Sequence, residues 1–363
     1  MSRRVALITE VIAPYRIPVF NALDELLRGS LHVFFISETE ARRNWPVYRD
    51  EIRFRYDVLG GFRFNVPYRG DSQPVYLAPP VVARLERGGF DCVLVGGWNH
   101  LECYQALAWS RARRRRFVLW SETALVRGLP HRPVRNALKR AVVRAASAFA
   151  VPGPSAGDYL RALGAVPDRI FEAPNAVDNA FWAVRPPNLQ AQPRPLLLFV
   201  GRLVESKGVD VALRAFATSQ LAGKAGFLVA GDGPMRSELE ALATSGVVFL
   251  GALDREELRR LYHSADLLVF PSRYDPWGLV LNEAACAGLP AIASDGAGAT
   301  RDMIRDGDNG LVVEAGSVES LRAVFDHLAA DPELSRRLRP GAAEIAHAHT
   351  PDACAAGLHA SVS

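Results

Sequence analysis

Cysteine is scarce in this chain. The four residues, Cys92, Cys103, Cys286 and Cys354, show no C-x-x-C spacing. That excludes a disulfide framework and a structural zinc site, and the four read as reduced thiols of a cytoplasmic protein. Long apolar runs are missing too. Nothing approaches the ~18 residues that span a bilayer. The apolar start Val5-Ala6-Leu7-Ile8 is cut short by Glu10, which argues against a secretory signal. No G-x-G-x-x-G follows a strand-like run, against a nicotinamide dehydrogenase. No D-x-D stands in a suitable loop and no His/Cys cluster has ligand spacing, so no metal site and no cofactor are expected. Lysine is nearly absent: Lys139, Lys207 and Lys224 are three of 43 basic residues.

What is present fits a globular α/β protein. Of 363 residues, 49% are hydrophobic and 23% charged, and that length suggests two domains. The net charge of +4 hides an asymmetry. Residues 1–180 carry 26 Arg and Lys against 17 Asp and Glu, and the remainder 17 against 22. A basic first half suits an anionic partner (a membrane surface, a lipid-linked phosphate or nucleic acid) or is simply a solvated arginine-rich surface.

Short, continuously apolar runs recur at 5–9, 31–36, 91–95, 117–120 and 148–151, then at 196–200, 227–230, 247–250, 267–270, 291–293 and 311–313. Such runs are the pattern of parallel strands buried on both faces. Helical segments lie between them. One places Val134, Ala137, Leu138, Ala141 and Ala145 on a single face, with Arg135, Lys139 and Arg144 expected to turn away. Strand–helix alternation implies doubly wound α/β domains. A Pro-rich, polar stretch at 185–195 reads as a linker. The expected organisation is 1–184, the linker, a second domain at 196–345 and a tail at 346–363 returning to the first domain. Two such domains facing across a cleft would let two substrates meet at their strand ends.

Three segments in the second half carry chemistry. After run 196–200 comes Gly201-Arg202-Leu203-Val204-Glu205-Ser206-Lys207-Gly208. The glycine permits a close turn past a ligand. Arg202 and Lys207 suit a diphosphate, although alone they also suit a solvated basic loop. After run 227–230 comes the tight turn Gly231-Asp232-Gly233-Pro234. After run 267–270 comes Pro271-Ser272-Arg273-Tyr274-Asp275-Pro276-Trp277-Gly278-Leu279-Val280-Leu281-Asn282-Glu283. Here a loop carboxylate, Asp275, and a helix carboxylate, Glu283, could accept hydrogen bonds from ribose or hexose hydroxyls. The helix start between them offers free N–H groups to a phosphate or a sugar oxygen.

Residues 195–350 resemble the donor domain of retaining glycosyltransferases of family 4, glycosyl transferases group 1, which have the GT-B fold. The family pattern is a Gly-Arg…Lys-Gly loop, a Gly-x-Gly-Pro turn and an acidic pair E-x7-E. The chain has Asp275 at the first acidic position, a substitution that shortens the side chain. The resemblance implies a UDP- or GDP-sugar donor held by Gly201, Arg202, Lys207, Gly231, Asp275, Trp277, Gly278, Leu279 and Glu283. Glu283 would bind the ribose and Asp275 the transferred sugar, with retention at the anomeric carbon.

The first half is similar to the family's acceptor domain more loosely. Ile12-Ala13-Pro14-Tyr15-Arg16 stands where other members carry a glycine-rich loop, and Arg16 could face the diphosphate. Trp98 and His100 could shape an acceptor pocket. Ser121 and Glu122 stand near where many members carry a histidine, which places Glu122 with Arg202, Lys207 and Asp275 among the expected catalytic residues. Each could also be an ordinary polar loop residue. The expected partners are a nucleotide sugar, a glycan or lipid-linked acceptor and an anionic membrane face touched peripherally, and the expected role is glycan, glycolipid or polysaccharide synthesis. Two alternatives compete: a GT-B nucleotide-sugar epimerase, which needs no acceptor, and a nucleic-acid module using the arginines of 111–116. The second lacks an accompanying motif or aromatic platform.

Overall fold

The apolar runs become strands because each is packed on both sides. A computed structural model describes residues 3–39, 47–68, 71–77, 80–125, 133–187 and 195–363, with backbone alone for 62–68 and 71–77. The strands are β1 (Val5–Thr9), β2 (Leu31–Phe35), β3 (Arg55–Val58), β4 (Phe62–Tyr68), β5 (Asp71–Leu77), β6 (Cys92–Gly96), β7 (Arg116–Trp120), β8 (Ala148–Val151), β9 (Ile170–Glu172), β10 (Leu196–Val200), β11 (Gly226–Ala230), β12 (Val247–Gly251), β13 (Leu267–Phe270), β14 (Ala291–Ser294) and β15 (Gly310–Val313).

The chain divides into two compact units. The first contains Met1–Pro67, Ser72–Asp178 and His349–Ser363, and the second contains Asn179–Ala348. Of the linker expected at 185–195, residues 188–194 lie outside the described residues. The units part earlier, between Asp178 and Asn179. The helix Asn179–Ala183 already belongs to the second unit, because Trp182 packs edge-on against Tyr262 (5.5 Å).

In the first unit the sheet order is β3-β2-β1-β6-β7-β8-β9, with parallel pairings throughout. The order reverses between β1 and β6, the switch point at which open α/β sheets bind ligands. One face packs Val93, Phe117 and Phe149, the other Val5, Leu94 and Val118. The last helix, Pro351–Val362, buries Cys354, Ala355 and Leu358 on that second face. β4 and β5 form a separate two-stranded sheet. The edge strands β3 and β9 have no fully buried position, and so lack the apolar run by which the central strands are recognised.

The helix Pro133–Ala145 is turned differently from the expectation. Its buried residues are Asn136, Lys139, Val142 and Val143, while Val134 is 84% and Leu138 49% exposed. Lys139 points inward because partners wait there. Its ammonium donates to Tyr159 Oη (2.8 Å) and lies 4.4 Å from the centre of the Trp98 ring. Burial pushes its pKa down to about 8. Arg135 and Arg144 are exposed as expected.

In the second unit the order is β12-β11-β10-β13-β14-β15, again parallel, with its switch point between β10 and β13. Phe216 meets Phe227 (5.6 Å) and Phe325 (6.2 Å), joining two helices to β11. Among the described residues no helix is long and apolar enough to cross a membrane.

Candidate functional site

In each unit the residues singled out in the sequence follow the carboxyl ends of strands. In the second unit three loops interlock beyond β10, β11 and β13. Gly231 (φ 137°) lies so close to the β10 loop that a Cβ would sit 1.8 Å from the Gly201 carbonyl oxygen. Gly208 (φ 65°) would bring a Cβ within 2.2 Å of the Pro271 carbonyl. The close approach these glycines permit is therefore between neighbouring loops.

The interlock carries the charged residues with it. Arg273 donates to both oxygens of Asp210 (2.6 and 2.7 Å) and to the Glu205 carbonyl (3.0 Å). Tyr274 N–H donates to the Ser206 carbonyl (3.2 Å). These bonds set the loop 205–208 against the loop 271–275, and Lys207 Nζ meets Asp275 Oδ2 in an ion pair. Asp275 is buried, and its other oxygen accepts from Trp277 N–H (3.2 Å). Arg202 is half-buried on the first of the three loops, directly after Gly201. Sequence reasoning missed Asp210 and Arg273 as a pair; 63 residues separate them and no spacing rule links them.

Trp277 is buried, with its indole N–H donated to Asn282 Oδ1 (2.9 Å), so it serves the loop from within. Gly278 and Leu279 open the helix Val280–Cys286, their carbonyls accepting from Leu281 and Glu283 N–H. Glu283 Oε2 accepts from Tyr262 Oη (2.6 Å), a fully buried tyrosine on the helix Arg255–Ser264. Burial pushes the Glu283 carboxyl up to about 7 against the opposing effect of that hydrogen bond.

In the first unit the loop after β1 forms a short 3-10 helix, Pro14–Arg16. Arg16 stacks on the Trp120 ring (3.9 Å) and pairs with Glu122, and its second nitrogen lies 3.4 Å from Asn175 Oδ1. The Tyr15 ring lies beside the same guanidinium (5.3 Å). Arg16, Glu122 and Tyr15 thus form one group at the ends of β1 and β7. Asn175, buried after β9, joins it without having been singled out by any motif. His100 stands after β6 with Nε2 3.9 Å from Glu10 Oε2. Trp98 is buried beneath that loop, over Lys139.

Two switch-point sheets, with cations and carboxylates on their carboxyl loops, define the GT-B class of glycosyltransferase fold. Solved structures share it. Anabaena HepE in complex with UDP and glucose superposes with a TM-score of 0.74 at 17% identity, covering 97% of this chain and 96% of that one. Sucrose-phosphate synthase from Thermosynechococcus elongatus gives 0.74 at 19%, covering 98% and 96%.

Residues 181–345 match the model of the family glycosyl transferases group 1. Curated relatives include an uncharacterized glycosyltransferase of Methanocaldococcus jannaschii, 36% identical over 38% of this chain and 36% of its own length. Alpha-D-kanosaminyltransferase of Streptomyces kanamyceticus is 29% identical over 59% of each chain. The D-inositol 3-phosphate glycosyltransferase of Acidothermus cellulolyticus is 32% identical over 62% of this chain and 54% of its own length. The chain thus spans only part of each of these relatives.

Proposed function

We propose that the chain is a retaining glycosyltransferase that moves a sugar from a nucleotide diphosphate sugar to an acceptor hydroxyl, without a cofactor or metal, in the synthesis of a glycan, glycolipid or polysaccharide. One observation carries the reading: in a group 1 domain, Lys207 is held against Asp275 on the loops that also bear Arg202. The two charges neutralise each other in their ion pair. A diphosphate competes for Lys207 and a sugar hydroxyl for Asp275, so both are freed for donor binding together. Arg202 and Lys207 then stabilise the charge that develops on the departing diphosphate, worth several kcal/mol when preorganised. Glu283 accepts from the ribose, and the acceptor hydroxyl attacks from the face the diphosphate leaves. Arg16, Glu122, Tyr15 and His100 serve the acceptor side. The HepE complex with UDP and glucose favours a UDP-sugar over a GDP-sugar as the first donor to try.

The test is a thermal-shift screen of UDP-, GDP- and ADP-sugars, since a ligand that binds the folded state raises the melting point, followed by release of the nucleotide with and without acceptor. Stabilisation by one class and acceptor-dependent release is the expected result. Turnover of the donor with no acceptor would favour the epimerase alternative.

A cytoplasmic enzyme that touches an anionic membrane peripherally belongs to the same reading. With Lys139 buried, the surface for it is the exposed face of helix Pro133–Ala145, where Val134 and Leu138 stand beside Arg135, Arg140 and Arg144. Each arginine near such a surface contributes up to ~1 kcal/mol. Co-sedimentation with anionic vesicles at low salt, lost in Leu138→Asp, is expected; equal binding to neutral vesicles would remove the idea.

A further inference from the structure

The candidate residues of the first unit follow the carboxyl ends of β1, β6 and β7. A cavity of about 500 Å³ lies at the other edge of the same sheet, around the amino ends of β7, β8 and β9. It is open to solvent. Its lining includes Arg116, Arg144, Ser147, Asp168, Arg169 and Phe171, so three arginines stand there with a single aspartate.

The three cations differ in how they are held. Arg116 donates twice to the neutral Ser361 carbonyl (3.0 and 2.9 Å), which fixes its guanidinium, and it forms no ion pair among the described residues. Arg144 and Arg169 are exposed, and neither side chain has a partner among the described residues. By contrast, Arg113 and Arg115 in the run 111–116 are neutralised by Glu86 (2.6 Å) and Asp91 (2.9 Å). The Ser147 hydroxyl accepts from Phe117 N–H (3.2 Å) at the amino end of β7, which leaves its own proton available to donate. Arg144 lies in the last turn of its helix, where a cation complements the helix dipole. That accounts for one arginine. It does not account for Arg169, which ends the 3-10 helix Pro167–Arg169 on the far side of β8.

We propose that this cavity is a phosphate-binding site separate from the sugar-transfer machinery, in which Arg144 and Arg169 take a phosphate group and Arg116 serves as a fixed third cation. Guanidinium forks match phosphate oxygens in pairs. The phosphate could be free, as inorganic phosphate or a soluble monoester, or could be the headgroup of a lipid. The inference does not rest on the donor reading, because every residue it uses lies in the first unit.

The test is run in the full chain carrying Lys207→Ala, so that the proposed donor loop contributes little. Titration calorimetry with inorganic phosphate compares this protein with the same chain bearing Arg144→Ala and Arg169→Ala, and with a control bearing Arg55→Ala and Arg87→Ala, which lie outside both the cavity and the helix Pro133–Ala145. All four arginines are exposed, and an unchanged Tm checks the fold. In a second arm the same proteins are sedimented with phosphatidic acid vesicles and with phosphatidylcholine vesicles. A fall in phosphate affinity of tenfold or more in the Arg144/Arg169 variant, absent in the control, supports a site for free phosphate. Loss confined to the phosphatidic acid vesicles assigns the site to a headgroup. Binding in neither arm, or equal losses in variant and control, overturns the proposal.

Discussion

If Glu283 accepts from the ribose as proposed, its carboxyl sets the pH range over which the nucleotide is held. Its carboxyl is pushed up to about 7, so it carries a proton across much of the mildly acid range. Protonation removes the negative charge and turns one carboxyl oxygen into a donor, which weakens acceptance from ribose hydroxyls. Nucleotide affinity should therefore rise from pH 6 to pH 8, and titration calorimetry should show that rise flattened in Glu283→Gln. Tyr262→Phe removes the hydrogen bond that opposes the shift, and should move the midpoint to higher pH. The same slope in Glu283→Gln as in the wild type would assign the dependence to another group. Stability runs the other way. The folded pKa lies above the ordinary 4.5, so this group's contribution is full at the acid end of the window and is lost as pH rises through 7. At this scale, residues on motif loops were legible from the sequence. Their partners were not: Tyr262 lies 21 residues from Glu283 on a different helix, and nothing in its own neighbourhood marks it.

Elements place those residues, and the Asp210–Arg273 pair is the joint between two of them. Arg273 holds the loop 271–275 to the start of helix Val209–Thr218 and to Glu205. Neither residue is proposed to touch the donor; they position Lys207 against Asp275. Misplacement by ~1 Å can cost ~100-fold in rate. Arg273→Ala should therefore lower kcat at least tenfold with a smaller change in KM, and Asp210→Asn, which keeps one hydrogen bond, should fall between. Steady-state kinetics beside a melting curve decide this, since a lower Tm with unchanged kcat would reduce the pair to a structural role. Elements also explain what the sequence hid. Central strands were legible because burial on both faces demands continuous apolar runs. The edge strands β3 and β9 carry no such demand. The helix Pro133–Ala145 misled for a related reason. Its aliphatic residues suggested the inner face, but Lys139 has a hydroxyl and an aromatic ring to meet inside, and Val134 and Leu138 are left at the surface.

Across the whole molecule, two switch-point sheets, of seven and six strands, are built from one chain, whose last helix returns to the first unit. The two units differ in how strongly they declare themselves. The second carries the family match and the motif loops. The first is legible as a fold but offers Arg16, Glu122 and Asn175 as a group only once β1, β7 and β9 share one sheet. The central claim concerns the second unit: Arg202 and Lys207 carry the charge of the leaving diphosphate. Its most direct test is the rate of sugar transfer by Lys207→Ala and Arg202→Ala, beside the wild type, in excess EDTA. The account predicts wild-type transfer undiminished by EDTA, and a loss of about 100-fold or more in kcat for each variant, with melting points within a few degrees of wild type. Transfer by either variant at the wild-type rate, or wild-type activity lost in EDTA and restored by magnesium or manganese, would contradict it.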